Sequence, residues 1–186
     1  MKRWIIAALA ALTMGATSAY ATDPYIGIGV GGFNIDTGVQ KKMAAGEYLM
    51  IGDNFSQYLG GEFRIGTSAR TGEEFPVVPQ AKIDYFVAAY AKPKYDLNEN
   101  FSIYGLLGVA MVRSSYSVPG ALLQKKTRTG IAYGLGVDYR YNDSFSFGGE
   151  WSHMLTRPKN TAATIGTNFQ GASASVYTAT LRYHFF

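Results

Sequence analysis

The residues between Lys82 and Leu97 alternate between two kinds of side chain. The odd positions, from Ile83 onward, are all apolar or aromatic, whereas the even positions up to Asp96 are mostly charged or small. Because a β-strand sends successive side chains to opposite faces, this segment predicts a strand with one apolar and one polar face. It far exceeds the roughly 5–6 residues typical of soluble strands. It approaches the span of a tilted membrane strand, about 9–11 residues plus flanks, which favours a transmembrane β-barrel.

Similar alternating segments recur and divide the chain into eight predicted strands. The strands are 25–33, 47–52, 57–66, 82–96, 101–113, 128–141, 145–156 and 174–185. Clusters of Asn, Asp, Glu and Ser near 53–56, 97–100 and 142–144 predict tight turns, because their side chains bond nearby backbone groups. The predicted long loops are 34–46, 67–81, 114–127 and 157–173. This layout predicts an all-β fold, an eight-stranded antiparallel up-and-down barrel, closed because an open sheet edge would leave backbone groups unpaired in lipid.

The same register predicts which side chains face lipid. In the first strand these are Ile26, Ile28 and Val30, and in the later strands they are the odd positions. The later set comprises Leu59, Phe63, Ile65, Phe101, Ile103, Leu107, Val109, Met111, Ile131, Leu135, Val137, Phe147, Leu155, Ala179 and Leu181. A soluble eight-stranded barrel such as a lipocalin is the alternative, and it would place its apolar side chains inside.

The first 21 residues have the pattern of a secretory signal peptide. Residues 1–3 are basic, residues 4–12 form an apolar run too short to span a bilayer, and Ala19-Tyr20-Ala21 is a small-x-small cleavage site. We therefore expect a signal peptide at 1–21 and an outer-membrane barrel domain at 22–186.

Charge and cysteine content exclude several function classes. The chain has 17 basic and 13 acidic residues, and removal of Lys2 and Arg3 with the signal peptide leaves a formal net charge of +2. The sequence pI of about 9.2 therefore does not indicate nucleic-acid binding. The chain contains no cysteine, so neither a disulfide framework nor a thiolate metal site is possible.

The C-terminal segment carries a family pattern. It ends in aromatic side chains, with apolar or aromatic residues at alternate positions, namely Tyr177, Ala179, Leu181, Tyr183 and Phe185, followed by Phe186. With the signal peptide and the eight amphipathic segments, it resembles the small outer-membrane β-barrel family that includes the OmpA and OmpX membrane domains. The resemblance implies location in the outer membrane and recognition of the last strand by the barrel-assembly machinery. Whether Phe185 or Phe186 is the terminal aromatic signal stays open.

This resemblance implies a fold and a location rather than one activity, because the same small barrel serves as anchor, adhesin, serum-resistance factor or enzyme. We expect a monomeric, non-enzymatic integral protein surrounded by outer-membrane lipids and lipopolysaccharide. Its extracellular loops, with basic runs such as Lys41-Lys42 and Lys125-Lys126, would meet lipopolysaccharide phosphates or an acidic host polymer, or would simply be solvated. A lipid A-modifying enzyme and a narrow pore are the alternatives.

Candidate catalytic groups are scarce. Only His153 and His184 are available as bases, and neither has a serine two residues away on the same strand face. A catalytic serine would therefore have to come from another strand. The two histidines lack the spacing of a metal site. Residues 27–32 spell a dinucleotide fingerprint, but no helical pattern follows, and glycines facing a narrow lumen explain them better. We therefore expect no catalytic residue, no metal and no cofactor.

The inward register carries four acids and four bases. They are Glu62, Arg64, Lys82, Asp84, Asp138, Arg140, Glu150 and Arg182. An eight-stranded barrel is only wide enough for side chains to fill its interior, so charges confined there must pair or suffer a severe desolvation penalty. The sequence predicts a lumen plugged by ion pairs, with Arg64 roughly opposite Asp84. The alternative is that these charges solvate a small channel or its rim.

Overall fold

The computed structural model describes residues 23–71, 80–117, 123–156, 158–161 and 168–185. The predicted signal peptide, Thr22 and Phe186 lie outside the described residues, as do parts of three predicted loops. Within the described part of the chain, no helix is long and apolar enough to cross a membrane.

Eight antiparallel strands form one closed barrel, which confirms the predicted fold class. They are β1 Asp23–Asp36, β2 Lys41–Asn54, β3 Leu59–Ser68, β4 Gln80–Asp96, β5 Phe101–Ser117, β6 Gln124–Arg140, β7 Phe145–Met154 and β8 Ser173–His184. Each strand pairs with the next one, and β8 pairs with β1, so that no strand edge is left open.

Three four-residue turns at 55–58, 97–100 and 141–144 close one end of the barrel, as the sequence predicts. In each turn one side-chain oxygen, from Ser56, Asn98 or Asn142, accepts the backbone N–H groups two and three residues later. The distances at Asn142 are 3.0 and 2.7 Å. The Asn and Ser residues therefore shape these turns locally.

The first connection at the other end is much shorter than the predicted loop 34–46. The ladder of β1 and β2 continues to the pair Asp36 and Lys41, and a backbone hydrogen bond of 3.0 Å from Thr37 N–H to Gln40 closes the hairpin. The expectation was wrong because polar residues interrupt the alternation there, whereas the backbone pairing continues without it. The remaining connections at this end are 69–79, 118–123 and 155–172.

The outer face of the barrel is apolar, as the predicted register requires. Ile26, Ile28 and Val30 are about half exposed, and most of the predicted odd positions are likewise exposed or partly exposed. Leu155 is an exception at 2 % exposure. It follows the last residue of β7 and has a φ of 68°, so the backbone leaves the strand direction and its side chain turns inward.

A β-bulge in β4 overturns the predicted placement of two charged residues. The pairing register with β5 shifts between Ile83 and Tyr85, so Ile83 is fully buried while Lys82 and Asp84 lie on the outer face. Asp84 accepts a 3.0 Å hydrogen bond from Ser115, a residue of the outward register of β5. The expectation that Lys82 and Asp84 line the lumen was therefore wrong, because one extra residue reverses the faces of a strand.

Candidate functional site

Arg64 lies at the centre of the barrel interior and contacts two carboxylates. Its Nε donates to Glu62, two residues away on the same face of β3. Its Nη1 and Nη2 both donate to Glu150 of β7, at 2.6 Å for the Nη2 bond. Bidentate contacts of this kind are the strongest that a guanidinium makes. All three side chains are buried, so the lumen is crossed by one continuous charged contact.

Tyrosine hydroxyls complete the hydrogen bonding of both carboxylates. Tyr25 donates to Glu62 at 2.6 Å, and Tyr104 donates to Glu150 at 3.0 Å. The guanidinium carbon of Arg64 lies 4.7 Å from the centre of the Tyr48 ring, close enough for a cation–π contact. The buried charges are therefore surrounded by groups that compensate for lost water.

Two further cations enter the same network. Lys92 of β4 donates to the Tyr25 hydroxyl at 3.1 Å and lies 3.8 Å from Glu62. Arg182 of β8 donates to Asp138 at 2.6 Å and to the Tyr104 hydroxyl at 2.8 Å. The resulting lumen network of three acids and three bases has no formal net charge; its members are Glu62, Arg64, Lys92, Asp138, Glu150 and Arg182.

Glycines make room for the tyrosines of this network. A Cβ atom on Gly29 would overlap the ring of Tyr48, and one on Gly136 would overlap the ring of Tyr104. Each ring therefore lies across the neighbouring strand, and its hydroxyl reaches the centre of the lumen. This close approach also accounts for Gly29 within the run that spells a dinucleotide fingerprint.

The interior changes character toward the long-loop end, where mainly apolar side chains pack together with a few small polar ones such as Ser68 and Ser114. Phe33 and Phe86 pack with their ring centres 6.0 Å apart, and Phe169 from the last connection stacks on Tyr116 at 5.4 Å. Asn160 fixes that connection by donating a 2.7 Å hydrogen bond to the carbonyl of Thr37. Between the charged network and the long-loop end, the described residues therefore form a packed core.

The short-turn end holds a polar cavity of about 410 Å³, here called the vestibule. Lys94, Asp138 and Arg140 are among its lining residues. Arg140 donates to Asp23 at 2.6 Å, and His184 Nδ1 lies 2.8 Å from the other oxygen of Asp23. The lumen is thus layered from the vestibule through the charged network to the apolar core.

Six of the eight charged residues predicted for the lumen lie inside the barrel. Five belong to the lumen network, and Arg140 lines the vestibule. Lys82 and Asp84 lie outside it, so the predicted contact between Arg64 and Asp84 does not form. Sequence reasoning missed Lys92, although its even position in β4 places it on the polar face, and it missed Asp23.

Both histidines contact a serine from a neighbouring strand. His184 Nε2 lies 3.0 Å from Ser146 Oγ, which with Asp23 gives the order of a Ser-His-Asp triad. The Ser146 side chain is fully buried, so no substrate can reach its oxygen. On the outer face, His153 Nδ1 lies 2.9 Å from Ser175 Oγ. No carboxylate among the described residues hydrogen-bonds to His153, so this pair lacks the group that would orient its base.

The residues of the C-terminal pattern lie on the outer face of β8 or directly after it. Tyr177 and Phe185 are 51 % and 40 % exposed, and the rings of Tyr183 and Phe185 lie 5.2 Å apart. Ala179 and Leu181 continue the same outward register. Phe186 lies outside the described residues.

Comparison with solved structures finds proteins of similar fold. Ail of Yersinia pestis superposes with a TM-score of 0.62 at 19% identity, covering 89% of this chain and 100% of Ail. Neisserial surface protein A gives a TM-score of 0.68 at 11% identity, with the same coverage. The N-terminal barrel of Pseudomonas aeruginosa OprF gives 0.58 at 10% identity, again with that coverage. At these identities the likeness concerns the fold alone.

Sequence comparison identifies the family. No curated protein matches the chain. The outer membrane protein beta-barrel domain family matches residues 4–185, nearly the whole sequence. The chain therefore belongs to the outer membrane protein beta-barrel domain family.

Proposed function

We propose that this protein is a monomeric, non-enzymatic outer-membrane barrel whose lumen does not conduct and whose extracellular end binds an anionic partner. The bidentate contact between Arg64 and Glu150 supports the closed lumen, because it joins opposite walls through buried groups. The packed core on the long-loop side of this contact supports the same conclusion, since ions do not cross a region filled mainly by apolar side chains. A narrow pore is the alternative.

The distribution of charge supports an anionic partner. Among the described residues, the long-loop end carries nine basic side chains and three acidic ones. The bases are Lys41, Lys42, Arg70, Lys82, Arg113, Lys125, Lys126, Arg128 and Lys159, and the acids are Asp36, Glu47 and Asp84. Such a surface attracts polyanions by long-range electrostatics. Ail has been solved with sucrose octasulfate, a heparin analogue, and we extend that ligand class to this chain as part of the proposal.

Binding to immobilised heparin tests this proposal directly. The refolded protein should bind at low salt and be released as ionic strength rises, because the contacts are screened. Lys125→Ala combined with Lys126→Ala should be released at lower salt than the wild type. Replacement of Lys94, a basic residue at the opposite end, by alanine is the control. Elution of the wild type without retention at low salt would contradict the proposal.

Export and assembly are part of the same proposal. Cleavage after Ala21 would release a mature chain beginning at Thr22, and the barrel-assembly machinery would read the aromatic C-terminal pattern. Outer-membrane lipids and lipopolysaccharide would then surround the apolar outer face. Amino-terminal sequencing of the protein recovered from outer membranes checks the cleavage site.

Lipid A hydrolysis is a second candidate function. The contact between His153 and Ser175 supports it, because this pair lies on the outer face, where a lipid substrate would reach it. We favour the non-enzymatic assignment, since no carboxylate of the described residues orients His153. Mass spectrometry of lipid A from cells with and without the protein separates the two. Loss of an acyl chain that depends on Ser175 and His153 would establish the enzyme instead.

A further inference from the structure

The outer wall formed by β4, β5 and β6 carries basic side chains close to the lipid-facing surface. These three strands have 17 residues each, whereas β3 and β7 have 10. Ser115 of β5 pairs with Lys82 on one side and with Lys125 on the other. Because neighbouring strands lie about 4.8 Å apart, the two lysine backbones flank one hydroxyl group within about 10 Å.

Arg113 lies one outward-facing position nearer the membrane on the same wall. It pairs with Tyr85 and Thr127, and its side chain is 42 % exposed. The next outward position is apolar, since Met111 pairs with Val87. The basic side chains therefore begin where the lipid-facing surface ends, at the height of lipid headgroups.

This wall carries a positive charge that its own acid does not balance. Asp84 is the acid at this position, and its Oδ2 lies 4.0 Å from Arg113 Nε. Among the described residues, no carboxylate forms an ion pair with Lys82 or Lys125. Arg70 lines a small cleft with Lys82 and Ser115 and adds a further cation.

We propose that Lys82, Arg113 and Lys125 form a binding site for the phosphate groups of lipopolysaccharide in the outer leaflet. Guanidinium and ammonium groups are the side chains that bind phosphate best, and Ser115, whose hydroxyl donates to Asp84, lies between the two lysine backbones. The site rests on the proposed function in one respect, namely that the long-loop end faces outward.

The position of the site selects a lipid rather than a soluble polymer. A polyanion from the medium approaches the ends of the loops, whereas these side chains project sideways from the wall. Their neighbours on the membrane side are the lipid-facing residues Val87, Met111 and Ile131. A phosphate attached to a membrane-embedded glycolipid reaches this height with its acyl chains along the barrel surface.

Binding of purified lipid A tests the site. The full mature protein in detergent is titrated with diphosphoryl lipid A, with dephosphorylated lipid A and with inorganic phosphate. The Lys82→Ala/Lys125→Ala variant should bind diphosphoryl lipid A roughly 30-fold more weakly than the wild type, and the Lys82→Arg/Lys125→Arg variant should retain binding. Dephosphorylated lipid A should bind weakly to every variant, and inorganic phosphate should not compete at millimolar concentration.

The matched control is Lys41→Ala/Lys42→Ala, which removes the same charge from the same end of the barrel on a distant strand. It should bind diphosphoryl lipid A within twofold of the wild type. Different migration of unboiled and boiled samples shows that each variant is folded. Equal weakening by both alanine pairs would overturn the site and leave general attraction of anions, as in the proposed function. Unchanged binding by Lys82→Ala/Lys125→Ala, equal binding of dephosphorylated lipid A, or competition by inorganic phosphate would also overturn it.

Discussion

Arg64 on β3 and Glu150 on β7 join opposite walls of the barrel, since three strands separate them in either direction around the ring. Their ion pair therefore also connects the two opposite walls across the interior. Its loss would leave two buried carboxylates without their main cation.

Arg64→Ala should lower the free energy of unfolding by about 3–5 kcal/mol, because it leaves the buried carboxylates of Glu62 and Glu150 without the guanidinium that pairs with both. The cost of Arg64→Met combined with Glu150→Gln should be smaller than the sum of the two single changes, because the double variant leaves fewer unpaired groups. Urea unfolding in detergent, followed by gel migration, measures these differences. Additive effects would contradict the proposed coupling.

Asp84→Ala is the matched control for this series. Its carboxylate lies on the outer wall, 4.0 Å from a partly exposed Arg113, so its removal should cost about 1 kcal/mol or less. A loss as large as that of Glu150→Ala would instead mean that Asp84 belongs to the interior.

The wild-type protein should show no steady conductance in planar bilayers. Arg64→Ala alone should not open it, because the apolar core around Phe33 and Phe86 still fills the half of the lumen at the long-loop end. Single-channel recording, with a general porin prepared in the same way as the positive control, checks both statements. Stable nanosiemens steps from the wild type would establish a pore.

Gly136→Ala should destabilise the barrel by about 1–3 kcal/mol, because the added methyl group overlaps the Tyr104 ring. Tyr104 holds both Glu150 and Arg182, so the change disturbs two ion pairs. Gly149→Ala is the control, since its Cβ would meet only Val137 at 3.9 Å. Thermal unfolding of the two variants in detergent should separate them, and equal midpoints would contradict the packing argument.

The end of the barrel with the connections 69–79, 118–123 and 155–172 should face the cell exterior, and the end with the turns 55–58, 97–100 and 141–144 should face the periplasm. Epitope tags inserted at positions 73, 120 and 165 should bind antibody on intact cells, whereas a tag at Asn100 should bind only after permeabilisation. The reason is the difference in connection length between the two ends, which is typical of outer-membrane barrels. Labelling of the Asn100 tag on intact cells would invert the orientation.

Much of the fold is predictable because side-chain alternation is a local property. The outward register of Ile28 and Leu107 follows directly from it, and so do the turns held by Asn98 and Asn142. The bulge at Ile83 was not predictable, since one inserted residue leaves both flanking segments alternating normally. The continuation of β1 to Asp36 was missed because the backbone pairing with β2 extends beyond the last residues that follow the apolar alternation.

The candidate site was predictable in its residue types rather than in its contacts. The inward register identifies Glu62, Arg64 and Glu150 as interior residues. A pairing argument reaches only the neighbouring strand, so it assigned Arg64 to Asp84 on β4. The actual partner Glu150 is four strands away, and only the curvature of the closed sheet brings it near.

The pairing of β8 with β1 has a consequence for the order of events during folding. His184 lies 2.8 Å from Asp23, although the two residues are 161 positions apart. Every other strand pairs with its neighbour in sequence, so hairpins can form while the chain is still incomplete. The pairing of β8 with β1 can form only after the last strand is available. It then closes a loop of nearly the whole barrel, which carries the greatest entropic cost of any strand pairing in the sheet. A chain shortened before residue 173 would therefore be left with two unpaired edges, each able to recruit another incomplete copy.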